Sequence, residues 1–244
     1  MIAGGHSGLK PAFQAGLYLS AIVGLIMLAN TAIRWSLADV YATQLSHHLD
    51  TVDRNLSNKN AEQWRLARQH LDRTLELRPA YARYFELAEN FYQKLDTLEF
   101  GGNPLIQELA WNDNEAKALD YARRGLYLMP SWPYLWKRLA ISKLALKQFD
   151  DELAGAIERA LYLGPWERSV QYGVAIAGLN YWPILQDAER LHVSQAVAQA
   201  LEMDRMQHSE LFDTSIILSH ANFVRVCEEQ IKSTTQRQLH SYCP

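Results

Sequence analysis

Three stretches of this chain align without a gap, and each closes on a proline: ARQHLDRTLELRP at residues 67–79, ALDYARRGLYLMP at 118–130 and LAGAIERALYLGP at 153–165. Counting back from the proline, Leu77, Leu128 and Leu163 share one column, and Leu75, Leu126 and Leu161 share another. Arg73, Arg124 and Arg159 form a third, and Thr74, Gly125 and Ala160 place a small residue in a fourth. Self-similarity of this kind means stacked units that bury their apolar faces on one another. After each proline comes a second amphipathic stretch, with Phe85, Ala88 and Tyr92 after Pro79 and Trp136, Leu139 and Ala140 after Pro130. Small residues suit positions where two helices cross closely, and the aromatic beside them fills the remaining space. The leucine columns are expected to be fully buried, so that Leu128→Ala would cost about 2–5 kcal/mol.

The prolines are 51 and then 35 residues apart. The shorter spacing is close to the period of about 34 residues of tetratricopeptide (TPR) units. The longer one requires an insertion, which residues 100–114 supply: Gly101-Gly102-Asn103-Pro104 is a turn signal, and Asn112 with Glu115 has the form of a capping box that would start a helix near Asp113. The pattern thins after Pro165, where Gln171 and Gly178 stand at aromatic positions. A fourth unit keeps Leu201 and Met203 but has Arg205 in place of proline, as a terminal capping repeat would.

Residues 12–33 (AFQAGLYLSAIVGLIMLANTAI) carry no charge and are bracketed by Lys10 and Arg34. As a helix this run is about 33 Å long, enough to cross a hydrocarbon core of about 30 Å. Asn30, Thr31, Ile33 and Arg34 crowd its end without a small-x-small cleavage pattern, which favours an uncleaved anchor over a signal peptide. A short N-terminal tail staying inside would put the rest of the chain outside the cytoplasm. Leu37, Tyr41, Leu45, Leu49 and Val52 then form a helical stripe that either continues the anchor or packs on the repeats. The expected fold is therefore all-α: a tail (1–11), a transmembrane helix (12–33), an amphipathic connecting helix (34–60), a TPR-like α-solenoid of helical hairpins (61–220), and a C-terminal cap and tail (221–244).

With 24 Lys and Arg against 27 Asp and Glu, the net charge of -3 offers no bulk attraction to nucleic acid. The chain lacks a Gly-rich phosphate loop, a nucleophile elbow, a zinc-protease helix and a paired-cysteine metal motif, so no catalytic residue, cofactor or metal is expected. His47 and His48 are adjacent and should point to different faces. Asp150-Asp151-Glu152 reads as the acidic start of a helix. Cys227 and Cys243 either pair, if the chain is exported, or leave Cys227 as a small buried residue.

In stacked hairpins the helix after each proline lines a concave groove. That selects Arg83, Glu86, Asn90, Gln93 and Lys94 after Pro79, and Tyr134 and Lys137 after Pro130, as candidate partner contacts. The same polar composition would describe an ordinary exposed helix face. Aromatics concentrate between Tyr127 and Trp182. Most are expected to be core, with Trp132, Tyr134 and Trp166 beside the turns as candidates for gripping a sugar ring or a protein partner.

Residues 130–171 contain Pro130, Trp132, Pro133, Tyr134 and Trp136 in a P-x-W-P-Y-x-W turn, then Leu163, Gly164, Pro165, Trp166 and Glu167 as L-G-P-W-E. This segment resembles the VpsP-type exopolysaccharide-biosynthesis proteins, and the ending at 223–227 (FVRVC) is similar to that family's close. The resemblance covers residues 62–227 and implies a non-enzymatic bacterial inner-membrane protein that serves polysaccharide assembly or export. Its expected partners are a membrane or periplasmic protein, the bilayer through residues 12–33, and possible polysaccharide. A direct glycan-binding module and an accessory subunit of an unrelated membrane complex are the competing readings.

Overall fold

The computed structural model describes residues 11–54, 61–96, 104–207, 213–232 and 242–243. Among the described residues the regular structure is helical, without strands. The chain divides into two compact units, Met1–Ala80 and Tyr81–Pro244.

In the first unit α1 (Pro11–Arg54) runs without a break and α2 (Ala61–Leu77) packs along it. The stripe after the uncharged run therefore continues the same helix. Side chains from Leu17 to Ile33 stand exposed, whereas Ala38, Leu45 and Leu49 of α1 and Trp64, Ala67, Leu71 and Thr74 of α2 are buried. One helix thus passes from exposed to partly buried along its length, and it is long and apolar enough to cross a membrane.

The second unit contains α3 (Ala82–Asp96), α4 (Pro104–Leu128), α5 (Pro133–Ala145), α6 (Asp151–Leu163), α7 (Arg168–Tyr181), a 3-10 turn at Trp182–Ile184, α8 (Asp187–Gln207), α9 (Ser215–Ser219) and α10 (Phe223–Lys232). α3 packs along α4, α5 along α6, and α7 along α8; α4 also meets α5, and the alternate helices α5 and α7, and α6 and α8, touch. The three aligned prolines do the same local work. Each helix ends two residues before its proline, at Leu77, Leu128 and Leu163, and the next begins three residues after it, at Ala82, Pro133 and Arg168. A proline cannot continue a helix and restricts the residue before it, so each connection closes within four residues.

The buried columns differ from the expected ones. Ala67, Ala118 and Leu153, then Leu71, Ala122 and Ile157, then Thr74, Gly125 and Ala160 are buried in all three units. These lie at spacings of four and three, one face of a helix. The leucines nearest the proline lie at the rim, and Leu128 is 39% exposed, which overturns its assignment as a fully buried core residue.

The expected restart at Asn112 is also corrected, because α4 runs unbroken from Pro104 to Leu128. Pro104 occupies the first helical position, where its missing N–H costs nothing, and no further proline follows inside the helix. Residues 104–114 of the insertion lengthen this helix, and the turn signal at Gly101-Gly102-Asn103 lies outside the described residues.

Close helix approach explains Gly178. A Cβ there would lie 2.4 Å from both γ-carbons of Val193 on α8. Valine is stiff at χ1 and cannot swing aside. Gly178→Ala is expected to destabilise the chain by about 1–3 kcal/mol through overpacking, and Gly178→Ala with Val193→Ala should recover most of that. Denaturation of both variants followed by circular dichroism checks this, and an unchanged midpoint for the single variant would mean that α7 and α8 sit further apart.

Beyond α8 the chain folds back onto the core. Asn222 donates to the Leu179 carbonyl at 2.8 Å, and Tyr242 donates to the Leu201 carbonyl at 3.4 Å. Cys227 and Cys243 form a disulfide with their Cα atoms 5.7 Å apart.

Candidate binding face

The candidate residues converge where α3, α5 and α7 lie side by side. α5 starts at Pro133, whose fixed φ suits the first helical position, so Trp132 and Tyr134 flank the helix entry. Trp132 donates its indole N–H to the Glu86 carboxylate of α3 at 3.1 Å, and its ring lies 5.3 Å from that of Tyr134. Tyr134 in turn donates its hydroxyl to Glu167, the residue that opens α7, and this bond pushes the phenol up to about 12. The two turns also touch: a Cβ on Gly164 would lie 3.0 Å from the Pro133 side chain, and buried Gln171 donates to the Gly164 carbonyl at 3.0 Å.

One turn deeper, Lys137 donates to Ser169 of α7 at 3.1 Å and lies 5.6 Å from the Tyr134 ring centre. Its aliphatic stem fills the space left by Gly173. Burial pulls its ammonium down to about 8, the neighbouring Arg138 adding to the effect. Lys137 is thus not a solvent-facing groove contact, as its spacing suggested, but a buried strut between α5 and α7. Arg138 reaches the other way, to Asn90 and, at 3.0 Å, to Glu89. Glu89 is 1% exposed, and burial pushes its carboxyl up to about 7 despite that arginine. Glu115 of α4 is buried nearby and acts on Glu89 as a like charge.

The predicted residues therefore separate into two groups. Glu86, Asn90, Trp132, Tyr134 and Lys137 are tied to one another or to adjacent helices. Arg83 is exposed on α3, Lys94 is half-buried on the same helix, and Trp166 is 76% exposed in the turn before α7. Gln93 lies on α3 with its side chain outside the described residues. Of the aromatics, Tyr127 and Tyr162 are 88% and 81% exposed at equivalent repeat positions, which corrects their assignment to the core, while Trp182 is fully buried. Sequence reading missed Glu89, Glu115, Arg138 and Glu167. Glu89 and Glu115 sit among other charges on helices that read as solvated faces, and only the packing of neighbouring helices buries them, whereas Glu167 is exposed in the turn before α7.

A second network lies on the other side of α5. Lys143 is 1% exposed and its ammonium donates to Asp150 and Glu152, both at 2.7 Å. Arg123 of α4 grips the same Glu152 carboxylate at 2.9 and 2.6 Å, and this bond with the Lys143 contact holds the group down at about 2. Asp150 also caps α6 by accepting the Leu153 N–H at 3.0 Å, so the acidic triplet serves both the helix start and the buried lysine. Lys147, at φ 56°, closes α5 in the left-handed region, with Gln148 N–H returning to the Lys143 carbonyl at 2.9 Å.

In the first unit His47, His48 and His70 border one cavity of about 270 Å³ together with Gln44, Thr51 and Gln63. Among the described residues no group of three His, Cys, Asp or Glu side chains is arranged to hold a metal ion. Chemically, the α3–α5–α7 face offers one exposed cation, an exposed indole and a surface of satisfied hydrogen bonds. That suits recognition of a polar chain. Compared with known proteins, the chain matches no family model and no curated sequence.

Proposed function

We propose that this chain is a membrane-anchored, TPR-like scaffold, not an enzyme, whose α3–α5–α7 face receives a protein segment in the service of exopolysaccharide assembly or export. The observation that carries the reading is the threefold proline connection, with the same residue offsets into and out of each helix. Hairpins joined in this way, with alternate helices in contact, stack as a solenoid and offer an extended surface, and protein segments are the usual ligands of such surfaces. The polysaccharide context rests on the resemblance over residues 62–227, carried by residues 130–171 and 223–227. A bacterial inner-membrane location with the helical domain in the periplasm is supported by the apolar run of α1 and by the Cys227–Cys243 disulfide, since such bonds persist in oxidising compartments.

The test places a photo-crosslinking amino acid at Arg83, Trp166 or Glu158 in the full chain, in membranes of the cell that makes it. Arg83 and Trp166 flank the proposed face, and Glu158 is exposed on α6. A discrete protein adduct at positions 83 and 166 but not 158 is the expected result. Equal capture at 158, or none at any site, would sink the adaptor reading. A polydisperse carbohydrate adduct at 166 would transfer the role to direct glycan binding, which the exposed Tyr127, Tyr162 and Trp166 rings favour as the second reading.

A further inference from the structure

We propose that Arg34, Trp35 and Arg78 form a collar that rests in the headgroup layer of the bilayer, where the two guanidiniums bind phospholipid phosphate. This rests on the reading of α1 as a membrane-spanning helix. Side chains from Ala15 to Ile33 are uncharged and exposed, and from Ala38 onward one face of α1 is buried on the hairpin with α2. The change of surroundings falls within one helical turn, and the C-terminal end of α2 lies there. Arg34 donates to the Glu76 carbonyl at 3.2 Å, satisfying part of the carbonyl end of α2. The Arg78 guanidinium stacks 4.4 Å above the Trp35 ring.

From Ala15 to Ile33 the helix rises about 28 Å, the depth of a hydrocarbon core, so the plane of Arg34 and Trp35 coincides with the membrane boundary. Trp35 is 47% exposed there, an amphipathic ring at the depth where tryptophans are favoured. Arg78, held on that ring by its cation–π contact, and Arg34, bonded to the Glu76 carbonyl, both reach this junction of α1 and α2. Planar guanidiniums match phosphate geometry bidentately, so two at this junction make a site for the phosphodiester of an anionic lipid. The hairpin would then stand on the bilayer at a defined height instead of swinging on a loose stalk.

The test uses the full chain in phosphatidylcholine vesicles with or without phosphatidylglycerol. Trp35 emission, isolated as the difference between wild type and Trp35→Phe, is expected to be quenched more by lipids brominated near the headgroup than by lipids brominated deep in the acyl chain. Arg34→Gln with Arg78→Gln should lower the preference for phosphatidylglycerol about fivefold per guanidinium removed. Resistance of the chain to alkaline carbonate is read first. A chain washed off by carbonate overturns the spanning reading and the collar with it. A chain that resists extraction while Trp35 is quenched by neither lipid, or while the double variant keeps its lipid preference, overturns the collar alone. Inorganic phosphate that abolished the preference would assign the arginines to a soluble anion and equally overturn it. The quenching measurement needs no arginine variant, so it decides even if that variant fails to fold.

Discussion

Replacing Asp150 with serine and Glu152 with alanine in one chain is expected to lower folding stability by about 3–5 kcal/mol, because the pair of changes strands the buried Lys143 ammonium. Lys143 lies at the C-terminal end of α5, 1% exposed, and its two close carboxylates are those of Asp150 and Glu152. Serine at position 150 still caps α6, so loss of the helix start does not contribute. Adding Lys143→Met should recover most of the loss, since the buried charge then disappears along with its partners and a chain of similar length fills the space. Urea denaturation of the full chain in detergent, read by circular dichroism, measures all three. A loss under about 1 kcal/mol would show that Lys143 swings out to water when its partners go. The network also sets a pH limit. Glu152 titrates at about 2 in the folded chain, well below the ordinary carboxylate range, so its contribution is complete above about 4.5 and is lost as pH falls toward 2.

The buried Glu89 works in the opposite direction. Its carboxyl is raised from the usual 4.5 to about 7, burial being the largest cause, with the Glu115 and Glu86 charges adding to it and Arg138 and Lys137 opposing it. Between those two values the folded chain holds a proton that the unfolded chain has released, so stability falls as pH rises from about 4.5 to 7 and is then constant. At about 1.4 kcal/mol per unit, the loss reaches about 3 kcal/mol. Glu89→Gln imitates the protonated acid and should flatten this part of the profile. It should match the wild type near pH 4.5 and exceed it by about 2–3 kcal/mol at pH 8. Midpoints recorded across this range check the sign. A variant less stable than wild type at pH 8 would mean that the Arg138 contact outweighs burial and that Glu89 stays ionised.

These two networks flank α5, and the aligned positions around them show why a repeat permits variation in its charges. Arg123 and Lys143 reach the same Glu152 from two helices, so three helices are tied by one carboxylate. Glu89 and Arg138 join α3 to α5 in the same manner, and Lys137 and Tyr134 join α5 to α7. Such ties specify which neighbour each helix accepts at modest net gain in stability. They also leave the proposed partner face with few groups free for recognition, which is why Arg83 and Trp166, and not the whole polar stripe, carry the binding test.

The linear sequence by itself determined the helical class, the sites where helices stop, and the small-residue column at Thr74, Gly125 and Ala160. Each depends on neighbours a few positions away: a proline lacks an N–H, and an uncharged run of helical residues has a length that can be counted. Glu86 and Asn90 were legible as one helix face because four positions separate them, and Trp132 and Tyr134 were placed by the turn they border. Tertiary structure alone decided that α4 runs through Asn112, that α2 packs along α1, that Leu128 lies at a rim, and that Lys137, Lys143 and Glu89 are buried. Those outcomes turn on which neighbouring helix closes over a charged or apolar face, and contacts between helices, such as Trp132 to Glu86 and Arg138 to Glu89, settle them where no local periodicity does.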